Sequence, residues 1–210
     1  MKSLKGMRTE KNIMNAFAGE SQARNRYTFF ASAAKKEGYE VIAAAFAEIA
    51  EQEKEHAKRL FKFLEGGTAE ITASFPAGTI GTTAENLAAS AAGENHEHTG
   101  MYPDYAKIAE EEGLAPVATI MLAIAMAEKH HEERFLGHLA SLTSGTVFKR
   151  EKPVRWRCRN CGYVHDGIEP PAAKPTPTLA PTALPNGELS SPPAACPACA
   201  HPRAYFEAIG

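Results

Sequence analysis

The sequence predicts a mainly α protein, a four-helix bundle followed by a small metal-knuckle domain, and three observations carry that prediction. Four stretches show helical periodicity, with apolar residues recurring three and four positions apart. The second pair of stretches repeats the first in a fixed register, so that Glu37 to Arg59 recurs as Glu112 to Arg134. Two CxxC pairs follow the last helical stretch, in a segment of different composition.

The first helix is expected over about 9–36, where Ile13, Phe17, Glu20, Arg24 and Tyr27 form one stripe. The second runs from about Val41 to Leu64 and stops at Gly66-Gly67, a pair suited to ending a helix. A connection from Thr68 to Gly81 containing Pro76 leads to the third, about 83–112. The fourth spans about 116–142, with Pro116 in its first turn, where a missing N–H costs nothing. Short turns at Gly38 and Gly113 make antiparallel pairs, and the longer middle connection joins the two hairpins into a bundle. Residues 1–148 form this domain. A second domain is expected over 153–210, interrupted at about 168–194 by an excursion with eight prolines between Pro170 and Pro193. Such composition cannot bury a core.

The repeat carries the chemistry. Its two copies align without gaps over that stretch, and both contain Glu-x-x-His: Glu53 with His56, Glu128 with His131. Residues three apart share a helix face, so each motif aims a carboxylate and an imidazole at one point. Upstream, Ala18-Gly19-Glu20 matches Ala92-Gly93-Glu94, although the segment from Glu94 to Glu128 is one residue longer than that from Glu20 to Glu53. Four carboxylates inside a bundle repel one another and need cations, and two divalent ions would neutralise them. Oxygen with imidazole ligation suits iron or manganese. This set of Glu20, Glu53, His56, Glu94, Glu128 and His131 resembles that of ferritin-like di-metal bundles. Glu51, Glu55, Glu111, Glu132 and Glu133 read as solvated faces, and His96 and His130 as surface histidines. Glu97 adds a fifth carboxylate where the first copy has Ala23, and charge counting suggests that it replaces His56 at one metal on oxidation.

Ala-Phe-Ala-Gly-Glu20-Ser-Gln-Ala-Arg-Asn-Arg-Tyr27, the two Glu-x-x-His motifs, Glu94-x-x-Glu97 and the C-terminal double CxxC closely resemble the rubrerythrin family over nearly the whole chain. The resemblance implies a ferritin-like di-iron bundle fused to a rubredoxin-like domain. It also implies the exchange of Glu97 with His56, and places Tyr27 and Tyr102 as hydrogen-bond donors to the site's carboxylates.

Cys158, Cys161, Cys196 and Cys199 offer four thiolates for tetrahedral coordination. Disulfides would suit a secreted chain, but Met1 to Gly6 lacks the apolar core of a signal peptide, so a metal site and a cytoplasmic location are expected. Spacing alone does not separate zinc from iron. Cys161-Gly162-Tyr163-Val164 and Cys196-Pro197-Ala198-Cys199 look like rubredoxin knuckles, and a redox-active bundle gives an Fe(Cys)4 electron carrier a purpose. The long segment between Cys161 and Cys196 departs from the family's short connection.

A net charge of −2 and the absence of a glycine-rich phosphate loop argue against nucleic acid or nucleotide as partner. The longest apolar run, Leu114 to Ala127, is too short for a membrane span. The expected function is reduction of hydrogen peroxide to water, with Glu97, Tyr27 and Tyr102 assisting. The resemblance implies a homodimer and electrons from a separate NAD(P)H-dependent reductase of rubredoxin type, or from free rubredoxin. A ferroxidase or iron store is the alternative, although a tethered electron carrier works against net iron oxidation. An oxygenase would need a substrate pocket beside the metals, and these alanine-rich helices promise none.

Overall fold

The computed structural model describes residues 3–171 and 195–209. The greater part of the proline-rich excursion, 172–194, lies outside them. The chain forms two compact units, one of Met1–Glu37 and Ile42–Ala140, the other of Gly38–Val41 and Ser141–Gly210.

The first unit is a ferritin-like four-helix bundle of α1 (Arg8–Lys36), α2 (Glu40–Phe61), α3 (Thr83–His96), α4 (Tyr102–Glu111) and α5 (Ala115–Thr143). The predicted third helix is α3 and α4 joined through one π-helical turn, Glu97–Met101. That turn accounts for the unequal spacing of the repeats. A π-bulge absorbs one inserted residue without breaking the helix. Tyr27 lies seven residues after Glu20, whereas Tyr102 lies eight after Glu94, and both tyrosines are nevertheless buried and bonded alike (below).

The duplication is visible at the helix ends. Glu37, closing α1, accepts a hydrogen bond from the Thr83 N–H at the start of α3 (2.9 Å). Its counterpart Glu112, closing α4, accepts from the Thr9 N–H at the start of α1 (3.0 Å) and from the Thr9 hydroxyl (2.7 Å). Each half thus satisfies orphan amides of the other. Thr82 and Glu85 add a capping box to α3. Gly38 and Gly113 turn the chain at φ +86° and +77°, a left-handed conformation that a side chain would strain.

Inside, Ile13, Leu60, Tyr102, Val117 and Met121 form one buried cluster. Toward the other end, Tyr27, Phe30, Phe46 and Phe135 pack with ring centroids 5.0 to 6.4 Å apart. Among the described residues no helix is long and apolar enough to cross a membrane.

The second unit carries a three-stranded antiparallel sheet in the order β2-β1-β3, from β1 (Val154–Cys158), β2 (Val164–Gly167) and β3 (Phe206–Ile209). Trp156 pairs with His165 on one side and Ala208 on the other, and packs on Cys158, Cys196 and Phe206. Its indole N–H donates to Gly167 O (3.0 Å). This small core sets the two cysteine knuckles against the sheet.

Candidate metal centres

The bundle gathers six of its candidate ligands into two overlapping sets. Glu20, Glu53, His56 and Glu128 form one, and Glu53, Glu94, Glu128 and His131 the other, each with donor atoms within 4.8 Å of one another. Glu53 and Glu128 belong to both sets and are placed to bridge two ions. Glu20 with His56 closes one end, and Glu94 with His131 the other. The two imidazole rings stand 5.8 Å apart.

All four carboxylates are buried, at no more than 1% exposure. Six inward-facing atoms of the site lack any hydrogen bond: Glu20 Oε2, Glu53 Oε1, Glu94 Oε2, both Glu128 oxygens and His131 Nδ1. An unmet buried polar atom costs about 1–3 kcal/mol, and more when charged, so these atoms call for a cation. His131 Nδ1 lies 3.0 Å from Glu53 and 2.7 Å from Glu128, close but not in hydrogen-bond geometry. Two divalent ions would satisfy every one of these donors, and the residues fit them.

Without a cation the same crowding is relieved by protons. Burial, then the Glu128 and Glu53 carboxylates, pushes Glu20 well above the usual carboxylate range. Burial and the same neighbours raise Glu94 to about 8, against a lowering contact with His131. Burial would also raise Glu53, but the His131 and His56 imidazoles outweigh it and hold that carboxyl at about 2. Burial would lower His131, yet its contacts to Glu128 and Glu53 push it up to about 12, and His56 rises for the same reason.

The two tyrosines bind across the repeats. The Tyr27 hydroxyl donates to Glu94 Oε1 and the Tyr102 hydroxyl donates to Glu20 Oε1. Burial, then the adjoining carboxylates, keeps both phenols protonated far above their usual range.

Glu97 stands in neither ligand set. It begins the π-helical turn and is partly exposed. Burial of its carboxyl and the charges of Glu94, Glu128 and Glu53 push it well above its usual range, with Arg26 acting the other way. As placed, the two sets contain His56 and not Glu97.

His96 and His130 are exposed, as expected of surface histidines. Glu132 is not the solvated residue the sequence suggests. Asn95 donates to it (3.0 Å) and His98 lies 2.6 Å away, leaving its side chain 17% exposed. Gln52 escaped sequence reasoning altogether. Its Oε1 accepts from His131 Nε2 at 3.0 Å, and only its position beside Glu53 hinted at a role. A cavity of about 690 Å³ opens over α1 and α3, lined by Arg26, Phe29, Ile80 and Gly93 among others. None of the six ligand candidates lines it.

The four cysteines form a second set, all free, with Cys158 and Cys199 sulfurs 3.7 Å apart and Cys161 and Cys196 3.6 Å apart. A tetrahedral metal with bonds of about 2.3 Å puts its sulfurs nearly 3.8 Å apart, so the arrangement fits one ion. The knuckles are near copies. Gly162 N–H donates to Cys158 O and Cys158 N–H to Tyr163 O; Ala200 N–H donates to Cys196 O and Cys196 N–H to His201 O. The left-handed position is glycine in the first (Gly162, φ +78°) and alanine in the second (Ala200, φ +59°). The His201 amide pulls the Cys199 thiol down to about 6. The Tyr163 amide acts likewise on Cys161, but the neighbouring thiols push that group up to about 12. Four thiols this close ionise together only around a cation.

Comparison with known proteins agrees with both centres. The family model described as Rubrerythrin matches residues 11–139, and the one described as Rubrerythrin, rubredoxin-like domain matches 156–174. A rubrerythrin of Nitratidesulfovibrio vulgaris is 56% identical over 210 residues, covering 100% of this chain and 98% of the relative. One of Porphyromonas gingivalis is 57% identical over 206 residues, covering 98% and 92%. Among solved structures, the fully reduced, all-ferrous state of nigerythrin aligns with a TM-score of 0.59 at 26% identity, covering 99% of this chain and 92% of that one. Symerythrin from Cyanophora paradoxa, reduced with dithionite, aligns at a TM-score of 0.58 and 25% identity over 68% and 89% of the chains.

Proposed function

The chain belongs to the rubrerythrin family, with a di-iron carboxylate site in its bundle and a rubredoxin-like four-cysteine knuckle, and on that premise we propose that it reduces hydrogen peroxide to water. One observation supports this reading above the others. Two ligand sets sharing Glu53 and Glu128 stand in the same chain as a four-thiolate centre suited to one-electron transfer.

Reducing peroxide to two waters takes two electrons and two protons. When bound, the two irons supply the electrons and the Lewis acidity that polarises the O–O bond. The chain's own residues hold the ligands and the protons. Glu53 and Glu128 set the spacing of the two positions. Tyr27 and Tyr102 keep their phenolic protons and orient Glu94 and Glu20. Glu97, whose carboxyl is held well above its usual range by burial and by the Glu94, Glu128 and Glu53 charges, stands beside the site as the residue to carry a proton. Once deprotonated, its carboxylate would offset a rise in site charge, and with metal bound it would be the residue to take the place of His56.

The four cysteines would hold an iron that supplies electrons one at a time, fed by a separate NAD(P)H-dependent reductase of rubredoxin type or by free rubredoxin. We read the assembly as a homodimer in the cytoplasm, on the family resemblance. Iron oxidation for storage would use the same carboxylates but gives the four-cysteine knuckle no task.

The test is anaerobic stopped-flow absorbance of the reduced, iron-loaded protein mixed with hydrogen peroxide. Rapid reoxidation, with thiolate-to-iron bands growing in afterwards, supports the reading. Faster reaction with oxygen than with peroxide, or iron uptake far above three per chain, overturns it.

A further inference from the structure

The two histidine ligands are related by the duplication but not held alike. His131 Nε2 donates to Gln52 Oε1 at 3.0 Å. The Gln52 amide is itself oriented, because its Nε2 donates to Glu48 Oε1 at 3.3 Å. Glu48 is fixed in turn by Arg134 Nη2 at 2.7 Å. An ionised carboxylate only accepts, so Gln52 must give Glu48 its NH2 and turn its oxygen to His131. With its Nε2 proton given to Gln52, the imidazole can offer a metal only its Nδ1, which faces Glu53 and Glu128.

The other half lacks this line. In the register of the repeat, Arg134 corresponds to Arg59, but Glu48 and Gln52 correspond to Ala123 and Ala127. Among the described residues His56 Nε2 has no hydrogen-bond partner, and the side chain is 18% exposed against 4% for His131.

We propose that Gln52, oriented by Glu48 and Arg134, is a positioning residue that makes His131 the permanent ligand. Alanine at 123 and 127 leaves His56 as the ligand free to depart. This inference rests on the metal-binding reading of the bundle and specifies which end of it is rigid. A side chain held through its far nitrogen keeps its ring plane and its tautomer when site charge changes. One held only by its metal does not.

The experiment is proton NMR of the full chain loaded with Co(II), which shifts the ligand imidazole N–H signals out of the protein envelope. The native protein is expected to show one slowly and one rapidly exchanging imidazole N–H. Gln52→Leu should abolish the slow one and weaken Co(II) binding at the bundle by about 10–100-fold, the usual effect of losing an outer partner. Gln52→Glu, which keeps the acceptor, should restore both. The double substitution Ala123→Glu/Ala127→Gln, which rebuilds the line beside Arg59, should give two slow signals, and it decides the matter should Gln52→Leu not fold. A slow signal surviving in Gln52→Leu, or a double variant with only one, overturns the proposal. Peroxide turnover is measured separately. Its absence in a native protein showing the predicted N–H pattern removes the peroxidase reading and leaves this one standing.

Discussion

The Tyr102 hydroxyl donates to the Glu20 carboxylate from the opposite half of the duplication, as Tyr27 does to Glu94. Tyr102→Phe removes the proton donor and strands a buried oxygen. The metal-free protein should lose about 1–3 kcal/mol of stability, read from urea unfolding midpoints. Tyr27→Phe should cost a similar amount, since the contacts are equivalent. An unequal cost would show that the two halves support their outer carboxylates differently.

Glu97 lies outside both ligand sets, so its loss should leave binding of reduced metal intact. We expect Glu97→Ala to bind two Fe(II) at the bundle with native affinity, while its oxidation by peroxide slows on the order of 10²-fold, the scale of a lost proton-transfer group. Rapid mixing of native and variant proteins separates the two effects. Equal oxidation rates would remove Glu97 from the reaction.

Ala200 holds a left-handed backbone conformation that glycine holds in the sister knuckle. Relief of about 1–2 kcal/mol of strain outweighs the extra unfolded-state freedom of glycine, about 0.4–1 kcal/mol. Ala200→Gly should therefore raise the thermal midpoint of the metal-loaded rubredoxin-like unit, and Gly162→Ala should lower it.

Glu112 is held at about 2 by the Thr9 hydroxyl, with burial opposing and the Thr9 and Arg8 amides adding to it. Its folded pKa lies below its unfolded value. The stabilisation is therefore complete above about pH 4.5 and is lost as pH falls towards 2. Glu112→Gln should be less stable than the native protein by about 1 kcal/mol at neutral pH, the worth of a helix cap, and the gap should close on acidification. Urea midpoints of both proteins across pH 2.5 to 7, values flanking about 4.5, measure it.

Removing the metals should leave protons behind. Glu94 titrates near 8 and His131 near 12 in the metal-free fold, both above their unfolded values. Such groups stabilise the folded state at low pH and lose that contribution as pH rises through the raised values. The metal-free protein should thus weaken as pH climbs from about 5 to 8, and the Mn(II)-loaded protein should not. Refilling at pH 7 should release protons, seen as a buffer-dependent binding heat in calorimetry.

The candidate ligands that the fold gathers were legible because their motif occurs twice, and a repeated Glu-x-x-His is hard to produce by chance. The bundle followed from the same periodicity, and its helix ends fell within a few residues of those expected. Other features had weaker signals. The extra residue between Glu94 and Glu128 was plain as a count, but a count does not say which turn absorbs it. The contact of Gln52 with His131 joins residues 79 apart in sequence, and only one half of the repeat possesses it. Glu132 looked solvated because its helix position is polar; Asn95 and His98 close over it from another helix. Strands of four or five residues around the cysteines are too short for alternation to distinguish them from turns.

The reciprocal contacts of Glu37 with Thr83 and of Glu112 with Thr9 are those that two identical hairpins would make about a dyad. The bundle is in effect a dimer written as one polypeptide. A single ancestral hairpin would have owned three of the six candidate ligands and would have gained a two-ion centre by self-association. Fusing the two copies released each from having to match the other. One could then acquire a glutamate on a bulged turn while its sibling retained an alanine, a divergence closed to any true homodimer of hairpins. Residues 1–67 and 82–148, produced as separate polypeptides, should find each other and bind metal only together.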